Sequence, residues 1–311
     1  MTHCLTIKRK KHFKEWLVAV ICIIATILLL VFSKSVKDGI NSGIKLVLFN
    51  IIPTLFPFFI LSDLWITAFG VKEKSRLSII FQRIFHINPA GLPALLIGMI
   101  CGFPLGVKSA VEYYSQGLIN KDELEILCGF INNPSLAFVI SGVGLGIYGN
   151  IFDGIFLYST VLLSALIVGI IFRPKNTTRA NMTYISRQSF DFTASINDAG
   201  LSCIKIGAFI IFFCALISLF SAIFKNDAFT SVFASVCEIG SAASIIYRCN
   251  IFTLSQRKAL TAFALGFSGF SIHMQAFSIL PKEITKSKYL VMKLTQGILS
   301  SIISFIIDGI F

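Results

Sequence analysis

Between Gly129 and Phe172 the chain carries a single charged side chain, Asp153. A bilayer core of about 30 Å is crossed by about 20 apolar residues of helix, so a run of this kind belongs in a membrane. Yet it contains Asn132-Asn133-Pro134-Ser135. Lipid offers no hydrogen bonds. A polar interruption there is either a turn between two spans or a break whose freed backbone groups are satisfied by protein or a water-filled cavity. Pro134 suits the first turn of a following half-helix. Composition fixes the same class: 55% hydrophobic and 14% charged, against about 25% charged in soluble domains. The expectation is an all-α polytopic membrane protein.

Apolar runs predict about eight to nine transmembrane segments, near 16–32, 51–69, 91–114, 124–148, 151–172, 201–224, 229–248, 258–280 and 289–311. The cluster KRKKHFKE before Trp16 predicts an uncleaved first helix with a cytoplasmic N-terminus. Segments 33–50 and 72–88 read as amphipathic and interfacial. The net charge of +12 sits in short loop clusters rather than on a basic face, and no nucleic-acid motif occurs. The eight cysteines form no CxxC pair and read as core residues. No HExxH, GxSxG or P-loop is present, so neither an enzyme nor an ATP-driven pump is expected. No cofactor or metal ligand set is read from the chain.

Several spans are interrupted, and the interruptions recur. With Gly106 set on Gly240, Asn132-Asn133-Pro134-Ser135 falls on Gly266-Phe267-Ser268-Gly269 without a gap. Earlier, INSGIKLVLFNIIPTLFPFFI resembles INDAGLSCIKIGAFIIFFCALI. These matches divide the chain into an N-terminal anchor (1–33), a first repeat (34–172), a polar connection (173–198) and a second repeat (199–311). Two pseudo-repeated halves with breaks in corresponding positions point to a transporter whose substrate site lies at the breaks. Asn132, Asn133 and Ser135 are candidate substrate contacts from one half. Ser268, Ser271 and Gln275, on one helical face, are the candidates from the other. His273 lies off that face and reads as a packed histidine. Asp63, Lys205, Arg248 and Asp308 lie near span ends and read as headgroup contacts.

GFPLGVK (102–108), FINNPSLAFVISGVG (130–144), EIG (238–240) and GFSGFSIHMQ (266–275) resemble the sporulation integral membrane proteins of the YlbJ type, within the nucleoside-recognition (Gate) family. Ser268 and Phe270 depart from the more glycine-rich stretch expected there. The resemblance implies two Gate-like repeats similar to concentrative nucleoside transporters. It also implies passage of dipicolinic acid toward the forespore, in the outer forespore membrane, beside other sporulation membrane proteins. For such an anionic substrate Lys108 is a candidate contact, with Glu238 as its partner or as a carrier of a coupling proton. Two other readings stand beside this one: a nucleoside-type or ion-coupled transporter outside sporulation, and a structural membrane protein that transports nothing.

Overall fold

The computed structural model describes residues 2–68, 75–175 and 191–309, and their secondary structure is entirely helical. The connection expected at 173–198 lies largely outside the described residues. Helix α1 (Thr2–Val31) meets the next helical segment at 88°. Helix α2 (Ser33–Leu46), a π-turn (Val47–Ile51) and α3 (Ile52–Ala68) follow without interruption. Segment 33–50 therefore does not lie free at the interface. Gly39 and Gly43 let α2 lie against Cys214, Ser218 and Ile211 of a later helix. Helix α4 (Arg76–Phe85) is amphipathic as expected: Ser78, Phe81 and Phe85 face the core, while Leu77, Ile80 and Ile84 are exposed.

Two predicted spans turn out to be hairpins. Helices α5 (Leu92–Ile100) and α6 (Leu105–Ser115) double back at Gly102-Phe103-Pro104. A Cβ on Gly106 would sit 2.7 Å from Gly98 Cα, an approach that a continuous helix could not make. Helices α7 (Lys121–Ile131) and a π-helical segment (Phe138–Tyr148) are separated by the break 132–135, and α8 (Ile151–Ile171) is an unbroken span. After the long α9 (Phe192–Phe224), α10 (Asp227–Cys237) and α11 (Ile239–Arg248) pack along each other and are joined by the single extended residue Glu238. Helices α12 (Leu254–Phe267) and α13 (Gly269–Ile279) are separated at Ser268, and α14 (Lys286–Asp308) closes the fold.

With α4 set aside as an addition in the first half, the element order repeats: long helix, hairpin, broken helix, unbroken span. Each broken helix starts at a capping box, Asn120 with Glu123 and Thr253 with Gln256, which satisfies the first orphan N–H groups. Among the described residues α8, α9 and α14 are long and apolar enough to cross a membrane alone, and two bent pairs raise the number to five. The sequence reading of eight to nine segments exceeds this. Hydropathy scores a hairpin of two short helices, or two half-helices, as one span.

The hairpin turn at 102–104 sets a stability test. A Cβ on Gly98 would press on the carbonyl oxygen and Cβ of Ile131. Overpacking of this kind costs about 1–3 kcal/mol. Gly98→Ala should lower the unfolding temperature of the purified protein in detergent. Gly200→Ala, which meets nothing within 4 Å, should not.

Candidate functional site

The interruptions expected near 102–105, 131–135 and 266–270 all exist, and they converge. The first hairpin tip rests on the first break: Phe103 N–H donates to Asn133 O (2.8 Å), and Gly102, at φ +79°, packs on Pro134 and Ser135. No side chain fits there. The second tip rests on the second break, where a Cβ on Gly269 would lie 3.0 Å from Cys237 O. Ser268 Oγ lies between the two breaks, its one proton shared between Leu265 O (3.3 Å) of its own helix and Asn132 O (3.4 Å) of the first break. Ser268 and Gly269 both adopt positive φ, +75° and +71°. For serine this left-handed backbone costs about 1–2 kcal/mol. The serine thus stands at a position that suits glycine, and its hydroxyl is shared between the breaks.

Between tips and breaks lies a cleft lined by Phe103, Ser135, Glu238, Gly240 and Ile272, with Ile51 and Ile206 from the long helices. Its free space is only about 30 Å³, room for one or two waters. Ser135 Oγ accepts from Phe138 N (3.2 Å), capping the half-helix that follows the break. Glu238 caps α11: its carboxylate accepts from Gly240 N (2.8 Å), Ser241 N (2.7 Å) and Ser241 Oγ (2.9 Å). The start of α11 is thus already capped by a carboxyl group of its own chain. Helix α13, by contrast, starts at Ser268 with no side-chain cap.

The remaining candidates fall in three places. Lys108 lies on α6, one turn beyond the first tip, half-buried and away from the cleft lining. The expected Lys108–Glu238 pair is not formed, because the carboxylate is turned into the start of its own helix. Asn132 and Asn133 are fully buried but face away from the cleft, toward α14. Asn132 Nδ2 donates to Tyr289 OH (2.6 Å), and Asn133 Oδ1 accepts from Gln296 Nε2 (2.7 Å). Ser271 and Gln275 are buried and bonded to each other (3.4 Å). His273 is packed, as expected, edge-on to Phe267 and Tyr289.

Sequence reasoning missed Lys293. It is fully buried in α14 and donates to Asn132 O (2.8 Å) and to Gln296 Oε1 (2.7 Å). A lysine amine thus holds a carbonyl that the first break sets free. The available signal was spacing, since Tyr289, Lys293 and Gln296 share one helix face with the serines that follow. Asp308 was also misread as a headgroup contact. With Asp153 it clamps Lys258, each oxygen 2.8 Å from Nζ, joining α8, α12 and α14.

This geometry decides which pairs couple energetically. Asn133→Ala and Gln296→Ala share one hydrogen bond and should be non-additive in unfolding free energy by about 0.5–3 kcal/mol. Asn133→Ala with Gln275→Ala should add independently in the same denaturation measurement, because no bond joins them.

No family model matches the chain, and no solved structure matches it. One curated protein does: the sporulation integral membrane protein YlbJ of Bacillus subtilis (strain 168) is 26% identical over 296 residues, covering 81% of this chain and 72% of that protein. Taken with the apolar spans, the similarity makes this chain an integral membrane protein related to the YlbJ-type sporulation proteins.

Proposed function

We propose that this protein carries a small polar solute across the membrane through the cleft between the two hairpin tips. The observation that carries the reading is the convergence of both tips and both breaks on one cleft. Backbone interruptions at membrane depth are costly, and transporters place them where a solute binds. In this reading residues 34–172 and 199–311 are two Gate-like repeats, each giving one hairpin and one broken helix. Residues 1–33 anchor the chain and 173–198 connect the halves.

The resemblance to YlbJ-type proteins favours dipicolinic acid, moved toward the forespore across its outer membrane. The uncapped start of α13, whose Ile272 reaches the cleft, offers N–H groups to a carboxylate. The free space of about 30 Å³ does not admit such a molecule, so this conformation is closed and the tips part to load it. Ser135 and Glu238 then contact the solute, Ser268, Ser271 and Gln275 support the α13 side, and Asn132 and Asn133 hold the break. Lys108 reaches the solute only when the first tip moves.

Glu238 on the cleft wall favours a second reading. A carboxylate there suits a solute that is neutral or brings a cation, as a nucleoside-type transporter would accept. Spores of a deletion strain should be depleted in dipicolinate, and near-normal content contradicts the first reading. In proteoliposomes, Glu238→Gln, which keeps a capping oxygen for Gly240 N and removes a like charge facing an anionic solute, should take up labelled dipicolinate at least as fast as the wild type. Uptake of a nucleoside without dipicolinate uptake would establish the second reading.

A further inference from the structure

Tyr289, Lys293, Gln296, Ser300 and Ser304 follow at steps of three or four along α14, so they share one face, and all five are buried. The hydroxyls of Ser300 and Ser304 have no protein partner, and neither do Asn132 Oδ1 and His273 Nε2, whose residues both bond to Tyr289 of the same face. Buried polar atoms without protein partners are the places where internal water sits. At the centre stands the Lys293 amine, bonded only to the Asn132 carbonyl and the Gln296 amide oxygen. Among the described residues it makes no ion pair. The titratable groups around it are His273 on α13, Tyr289 on its own helix and Cys128 on α7, next to Tyr289. None is a carboxylate.

We propose that Lys293 is a proton-exchange site, served by water along the polar face of α14, whose charge decides whether the break at 132–135 is held or released. The step is a proton transfer alone. The ammonium gives H⁺ to water, the water and the hydroxyls of Ser300 and Ser304 relay it along the polar face of α14, bulk water beyond the end of that face takes it up as H₃O⁺, and the neutral amine remains. Nothing is oxidised or reduced. The protonated amine makes a charge-assisted bond to Asn132 O, and such bonds are about twice as strong as neutral ones. Loss of the proton weakens the hold on a carbonyl that Ser268 also uses. Asn132 lies three residues before Ser135 on the cleft wall, so both breaks loosen where the cleft must open. The use of this switch in coupling a proton to solute movement rests on the transport reading, whereas the switch itself does not.

Hydrogen–deuterium exchange of the full chain in nanodiscs, read on peptides covering 129–144, tests it without any solute. After correction for intrinsic exchange, protection of amides 133 and 135–138 should fall at least about tenfold as pH rises from about 6 to about 9. Lys293→Arg should stay protected throughout, and Lys293→Met should be unprotected at every pH. His273→Gln should keep the wild-type pH dependence. Wild-type protection that does not change with pH overturns the proposal even where the Lys293 variants fail to fold. So does a Lys293→Met protein that keeps the pH dependence, or a His273→Gln protein that loses it. Failure here leaves the transport reading standing, and absence of dipicolinate transport leaves the switch standing.

Discussion

Every backbone group freed inside the bilayer must find a partner within the protein, since each orphan costs several kcal/mol in hydrocarbon. The fold answers this with cross-contacts between segments far apart in sequence. Phe103 N–H of the first hairpin donates to Asn133 O, Ser268 Oγ of the second break reaches Asn132 O, and Lys293 of the last span takes the same carbonyl. No broken helix is complete by itself. The hairpins, the breaks and α14 therefore form together, and moving one of them exposes groups on the others.

In the proposed transport reading, that dependence couples the tips to the breaks. The tips meet the breaks at two glycines, Gly102 of the first tip and Gly269 of the second break, that leave no side chain between them, and the tip residues Leu105 and Ile239 are buried in apolar clusters. Val107, Leu127, Ile131 and Met292 are fully buried in one apolar cluster, and Lys258 ties three helices together through Asp153 and Asp308. In the transport reading, the two tips, seated backbone to backbone on the breaks, move as rigid bodies when the cleft opens.

What the sequence disclosed and what it hid follow from the same physics. The breaks at Gly102-Phe103-Pro104, Asn132–Ser135 and Gly266–Gly269 were legible because proline, glycine and asparagine have few other reasons to occupy apolar runs. Their alignment across the halves placed Gly106 and Gly240 at the second position of equivalent hairpin helices. The hairpins were not legible, since 91–114 and 229–248 have the length and hydropathy of one span each. Glu238 was recognised as special, but its role as a helix cap depends on Gly240 and Ser241 turning their N–H groups toward it. Asn132 and Asn133 were identified correctly as residues of a break, yet their side chains turn to Tyr289 and Gln296. Lys293 escaped because a lysine near the start of an apolar run looks like an interfacial anchor until its face of α14 is traced.

The central claim is that solute passes between the two hairpin tips. Phe103 and Ile239 both line the narrow cleft, one on each tip. With both replaced by cysteine in a cysteine-free background, a short cleavable cross-linker would tie the tips in their closed arrangement. The account predicts that dipicolinate uptake into proteoliposomes stops on cross-linking and returns when the linker is reduced. Uptake at the uncross-linked rate with the tips tied together would contradict it.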